Sequence, residues 1–236
     1  MKLTYIYHSG YTIEGEREMI IIDFWKDSAD GFVKKSLATF PGKIYVLCSH
    51  WHPDHFNPAV LDWRQMRSDI QYVFSKDILK KKHLNPEDAS FLIKGDEWQD
   101  ENIKIKAFGS TDIGISFLIE TENKKIFHAG DLNNWHWDEE STPEEAQASE
   151  RLYLQELKTL ANVTKHLDLA MFPVDARLGK NYMRGAQQFV EAIHTDVFAP
   201  MHFGDGYASA NKFQPIAEHA GGCFVAWTKT GESIHF

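Results

Sequence analysis

The chain has 236 residues, 43% of them hydrophobic and 25% charged, which supplies a sizeable core and excludes a disordered or fibrous chain. A formal charge of −9 disfavours a phosphate backbone as partner, and no window approaches the ~18 uninterrupted apolar residues of a membrane span. The opening residues lack the charged-then-apolar pattern of an export signal, and Cys48 and Cys223 both fall in strand-like apolar runs. The expectation is therefore a cytoplasmic protein with two buried, reduced thiols and with no membrane or nucleic-acid partner.

Apolar, β-branched runs at 3–7, 19–24 and 43–48 are separated by turn signals and predict strands, with a helix near 30–38 between the last two. Asn57-Pro58 opens a helical pattern through Arg67, followed by a strand at 70–74 and a short helix from Ser75 to Lys82. Strands return from 97 to 129, where Ile103, Ile105 and Ala107 alternate and the runs 115–120 and 125–128 read as a hairpin across Glu122-Asn123. Thr142-Pro143-Glu144-Glu145 combines an N-cap, a first-turn proline and acidic residues, and starts a helix that runs to about Asn162. The closing third reads strand 167–172, helix 182–194, strand 196–199, helix 209–219, strand 223–227 and a last strand at 233–235. No repeat, low-complexity tract or linker interrupts this α/β alternation, so a single domain over 1–236 is expected.

The chemistry is concentrated in Ser49-His50-Trp51-His52-Pro53-Asp54-His55-Phe56, directly after the apolar run Ile44 to Cys48. A strand end delivers His50 and His52 on one side, and Pro53 forces a turn that brings Asp54 and His55 round. Imidazole and carboxylate suit zinc, iron or manganese, and three histidines in six residues are improbable for a solvated loop. Further ligand-type residues follow other predicted strands, in His128-Ala129-Gly130-Asp131 and in Pro200-Met201-His202. Loops at one edge of a sheet converge in space.

This pattern resembles the metallo-β-lactamase fold superfamily, whose signature is HxHxDH followed by a distant His, a distant Asp and a last His. The resemblance implies a four-layered αβ/βα sandwich, with two mixed β-sheets packed face to face and helices outside. It implies two divalent metal ions, zinc foremost with manganese or iron as alternatives. His50, His52 and His128 would hold the first, Asp54, His55 and His202 the second, and Asp131 would bridge them. Asp54 and Asp131 are then also the candidate catalytic carboxylates. A water shared by two such ions has its pKa lowered toward 7 and supplies hydroxide to an acyl carbonyl or a phosphorus. The expected activity is hydrolysis of a small-molecule lactone or ester, with a phosphodiesterase or RNase Z-like nuclease as the alternative on the same site.

The opening Tyr7-His8-Ser9-Gly10 and Ile21-Ile22-Asp23 resemble the branch that contains ascorbate-6-phosphate lactonase. That likeness would place His8 in the cleft and Asp23 behind the motif loop, where it would orient a ligand. Arg177 and Arg184, after strand 167–172, are candidates for clamping an anionic substrate group. Trp135 and His136, in the irregular stretch from Asp131 to Ser141, are candidates for a wall against which substrate stacks. Asp175 has no role in the resemblance, and His166 and His194 read as surface histidines without a ligand-type neighbour.

Overall fold

The computed structural model describes residues Met1–Phe236. The first half of the chain runs β1 (Lys2–Tyr7), β2 (Gly10–Glu14), β3 (Glu18–Ile22), α1 (Phe32–Thr39), β4 (Lys43–Cys48), a 3-10 helix at Pro58–Gln65, β5 (Gln71–Ser75), α2 (Lys76–Lys81) and β6 (Ser90–Leu92). The second half runs β7 (Glu97–Gln99), β8 (Ile103–Gly109), β9 (Ile115–Thr121), β10 (Lys124–His128), α3 (Pro143–Val163), β11 (His166–Pro173) and α4 (Arg184–Ala192). It closes with β12 (His194–Met201), α5 (Tyr207–Ala210), α6 (Gln214–His219), β13 (Cys223–Phe224) and β14 (Ser233–His235).

Strands β1 to β6 line up in sequence order as one sheet, with β14 added outside β1, and β7 to β13 form the other. Each sheet starts antiparallel and ends parallel, the change falling at β3–β4 in the first and β10–β11 in the second. The expected sandwich of two mixed sheets is thus the observed fold. Its logic is a period of two with both faces buried. On β3, Ile20 and Ile22 enter the core shared with Phe117 and Ile126 of the second sheet. Their neighbours Met19 and Ile21 pack instead with Val33 and Leu37 of α1. Strand β4 divides likewise, Tyr45 and Leu47 facing inward and Ile44, Val46 and Cys48 outward.

This arrangement brings the carboxyl ends of β3, β4, β10, β11 and β12 to one edge of the sandwich, where ligands of α/β sheets collect. The long α3 is opened by a complete capping box, Thr142 accepting from the Glu145 amide while the Glu145 carboxylate accepts from the Thr142 amide.

Five expectations change. Strand β2 and the short β6 are additional, and the segment expected as a helix at 57–67 is a 3-10 helix at Pro58–Gln65. The helix expected at 209–219 is broken, because Pro215 has no amide to give the preceding turn and a new helix starts around it. The strand expected at 223–227 stops at Phe224, since Trp227 turns inward and donates to the Tyr11 hydroxyl at 2.9 Å. Cys48 is buried, but Cys223 is exposed, because β13 is a two-residue edge strand covered on one side only.

Candidate metal centre

The chain leaves β4 with Ser49 and His50, both fully buried, and folds back on itself at Pro53, where the His55 and Phe56 amides donate to the His52 carbonyl at 3.0 and 2.8 Å. Phe56 anchors the return by packing edge-on against Phe74 of β5 at 5.5 Å. The turn therefore presents His50, His52, Asp54 and His55 from one short loop.

These side chains meet Asp131, which follows β10 and is 5% exposed. Its two carboxylate oxygens face different partners. Oδ2 lies 3.3 Å from His50 Nε2, which itself lies 3.0 Å from His52 Nδ1. Oδ1 lies 3.1 Å from His55 Nε2 and 3.3 Å from His202 Nε2. One carboxylate is thereby shared between a His50/His52 group and a His55/His202 group.

The remaining nitrogens of three of these rings are committed elsewhere, which fixes their tautomers. The Ser49 hydroxyl donates to Asp23 at 2.6 Å, so its oxygen can only accept from His50 Nδ1–H at 3.0 Å. His55 Nδ1–H donates to Asp23 at 2.7 Å, and His202 Nδ1–H donates to Asp175 at 2.9 Å. Each Nε2 is left as a lone pair pointing at Asp131. A lone pair facing a carboxylate at hydrogen-bond distance is repulsive unless a cation or proton lies between them. The buried His55 Nε2 and Asp131 Oδ1 accordingly have no hydrogen-bond partner within the protein. This donor set fits divalent cations held by imidazole and carboxylate.

Electrostatics agree. Burial resists charge on Asp131, yet the surrounding imidazoles hold its carboxyl well below the usual range, and Asp23 is lowered by His128 and His55 in the same way. For His55, the burial cost is outweighed by Asp131 and Asp23, which raise its affinity for positive charge well above that of a free imidazole. The site attracts positive charge before any ligand is considered.

His8 does not line the cleft but is buried beside Asp54, His55 and His202. Its Nδ1 accepts from the Gly204 amide at 3.3 Å, so the neutral ring carries its proton on Nε2, which faces Asp54 at 3.4 Å. Burial lowers its pKa to about 4, keeping it neutral. His8, Asp23 and His202 all adopt left-handed backbone, with φ of 58°, 47° and 63°. Such conformations cost about 1–3 kcal/mol each for residues other than glycine and cluster where function demands them. Here they let one chain turn in and place its side chain: the His202 amide bonds to the His8 carbonyl at 3.0 Å, joining the two loops.

The expected site residues divide clearly. His50, His52, Asp54, His55, Asp131 and His202 are brought together, with Asp23 behind them as expected. His128 is not among them. Its Nε2–H donates to the Ser9 carbonyl at 2.9 Å and its Nδ1 accepts from the Gly130 amide at 3.1 Å, so both nitrogens are consumed by backbone in a fully buried position. Of the substrate candidates, Trp135 and Arg177 line the cleft, which has a volume of about 570 Å³, while His136 and Arg184 do not. His136 is buried and donates to the Asn134 carbonyl at 2.9 Å, and Arg184 begins α4 and acts on Asp138.

Three further residues contribute to the cleft. Asp175 holds His202 and is itself gripped by Arg177, whose Nη2 lies at 2.5 Å. Trp137 stacks on Trp135 at 6.0 Å and 17°, making a wall of two indoles over His202. Asp112 lies 3.7 Å from His52. His166 and His194, side by side in the β11–β12 register, do gain a ligand-type neighbour in Asp196, at 2.9 and 3.3 Å. All three are exposed, at the strand ends opposite the cleft.

Comparison with known proteins accords with this geometry. Residues 2–147 match the family described as the beta-lactamase superfamily domain. The chain is 24% identical over 221 residues to a UPF0173 metal-dependent hydrolase of Pelotomaculum thermopropionicum, covering 86% of this chain and 84% of that protein. In structure it is similar to Igni18, a metallo hydrolase from the archaeon Ignicoccus hospitalis, with a TM-score of 0.69, 19% identity and coverage of 100% and 98% of the two chains. It is also similar to the metallo-beta-lactamase fold protein YhfI from Bacillus subtilis, with a TM-score of 0.67, 13% identity and coverage of 99% and 98%. The chain belongs to the β-lactamase superfamily and is a metal-dependent hydrolase of the metallo-β-lactamase fold.

Proposed function

We propose that the protein hydrolyses a lactone or comparable ester of small size, using two divalent cations held on either side of Asp131. The observation that carries this reading is the division of Asp131, with Oδ2 toward His50 and Oδ1 toward His55 and His202. In this reading His50 and His52 serve one cation and Asp54, His55 and His202 the other, with zinc the first choice of metal and manganese or iron compatible with the same donors. Bound there, such cations supply water activation at neutral pH and polarise the scissile group.

The protein's own groups do the rest. Asp23, Ser49 and Asp175 hold the protons of the ligand rings away from the cleft, so each Nε2 stays available. His8 Nε2 faces Asp54 at 3.4 Å and lies within reach of the same group of ligand-type side chains. The paired indoles of Trp135 and Trp137 give the cleft an apolar wall for a substrate body. Arg177 at the rim would meet an anionic substituent, its Asp175 pair fixing the guanidinium's direction. The acidic cleft and the chain's −9 charge favour a small substrate over nucleic acid.

The test is turnover by metal-loaded protein on a panel of lactones, carboxylic esters and bis(p-nitrophenyl) phosphate. Lactone or ester hydrolysis that disappears in His52→Ala and Asp131→Ala, with circular dichroism unchanged, is the expected result. Cleavage of the phosphodiester alone would replace this reading by the phosphodiesterase one, and full activity in either variant would remove that residue from the site.

A further inference from the structure

We infer that Asp112 is the fourth protein ligand of the cation held by His50, His52 and one oxygen of Asp131, in the place that His128 does not fill. The inference rests on the two-cation reading above and adds to it. With His128 sealed against the Ser9 carbonyl and the Gly130 amide, that cation is left with two imidazoles and one oxygen of Asp131. His52, Asp112 and Asp131 each offer a ligand atom within 4.8 Å of the others, and Asp112 lies on the open side of this group, where the ring of His52 is half-exposed.

The loop that carries Asp112 is built to hold it there. It joins β8 to β9, and its two ends are tied to the two loops that carry the other ligands. On one side, the Thr111 hydroxyl donates to the Asn133 carbonyl at 2.6 Å and accepts from the Asn133 amide at 2.9 Å, fastening the loop to the segment after Asp131. On the other, the Ile115 amide donates to the Ser49 carbonyl at 3.0 Å. Gly114 makes this second tie possible, because at φ 81° a Cβ would collide with the Ser49 carbonyl and with His50. The carboxylate itself has no lysine or arginine partner, and the His52 ring stands 3.7 Å from it, with Asp131 within 4.8 Å. An unpaired carboxylate on an anchored loop, beside two ligand-type groups, is disposed to take a cation.

Asp112 also changes the character of the site. Each cation then has two imidazoles, one carboxylate of its own and one oxygen of Asp131: His50, His52 and Asp112 on one side, His55, His202 and Asp54 on the other. Exchanging an imidazole for a carboxylate makes the first position harder, so manganese and iron compete better there against zinc than they would in a three-histidine set.

The test is titration of metal-free protein with Mn2+ and with Co2+, read by calorimetry and, for Co2+, by visible absorption. Wild type, Asp112→Ala, Asp112→Asn and His128→Gln are compared, each with its circular dichroism. The expected result is that the Asp112 variants lose one equivalent of cation or bind it at least about tenfold more weakly, with altered Co2+ bands, while His128→Gln keeps wild-type stoichiometry and bands. Unchanged stoichiometry, affinity and bands in both Asp112 variants would overturn the assignment while leaving the two-cation reading intact. A wild-type protein that binds a single equivalent, unaffected by Asp112, would overturn both.

Discussion

At the level of single residues, the site works by committing protons. Asp23 serves two ligand rings at once, directly through His55 and through the Ser49 hydroxyl to His50, and Asp175 does the same for His202. Outer groups of this kind typically contribute about 10–100-fold to metal affinity. Asp175→Ala is therefore expected to weaken cation binding by about that factor while leaving the fold in place, since Arg177, the partner it releases, is largely exposed. Competition against a chromophoric chelator measures it, and affinity equal to wild type would show that His202 needs no such support. The ligand-type residues of the motif loop were legible in the sequence because a strand end and a proline suffice to aim them. His128 was misread because a strand-end side chain beside a glycine has two directions available, and only the approach of Ser9, 119 positions away, decides between them. Asp112 was not singled out, and Asp175 was given no role, for the same reason: nothing local distinguishes a carboxylate that meets a histidine across the fold from one that meets water.

Among the elements, the strongly patterned ones were readable. The alternation of β8, the Thr142 capping box and the apolar run of β4 each carry a local physical signal. Strand β2 was not, because Tyr11, Thr12 and Ile13 are all buried and leave no alternation to detect. Sheet packing also leaves one liability. Glu18, at the start of β3, is fully buried, and burial raises its pKa even though the Thr121 hydroxyl donates to it. A carboxyl whose folded pKa is raised favours the folded state fully below the unfolded value of about 4.3, and that contribution is lost as pH climbs through the folded value. Glu18→Gln should consequently raise the melting temperature at pH 7 by about 2–4 °C, the effect of about 1 kcal/mol in a chain of this size, with the difference shrinking toward pH 4. Melting curves across that range check it, and a variant equally destabilised at every pH would show that the carboxyl matters by shape alone.

In the whole molecule, each sheet delivers ligands from its parallel strands, so the cations would bind across the seam between the halves. His50, His52 and His55 come from the first sheet, and Asp131 and His202 from the second. Such binding stabilises the folded chain in proportion to the logarithm of free cation over dissociation constant, about 2.7 kcal/mol at a hundredfold excess. Chelation with EDTA should accordingly lower the melting temperature by several degrees, with recovery on adding back Zn2+ or Mn2+. The same shift surviving in Asp131→Ala would place the stabilising cation elsewhere. The α/β alternation was legible from the order of strands and helices and the sandwich from the resemblance carried by the histidine motif, whereas the pairing of the halves, which decides what the site contains, exists only once the chain is folded.

Where the cations sit decides whether the cleft around Asp131 is a two-cation site. Anomalous diffraction from crystals of the zinc- or manganese-loaded protein, collected on both sides of the metal edge, should show two peaks, one between Asp131 and the His50/His52 pair and one between Asp131 and the His55/His202 pair. Density confined to the exposed His166, His194 and Asp196 cluster, or absent from the cleft, would contradict it.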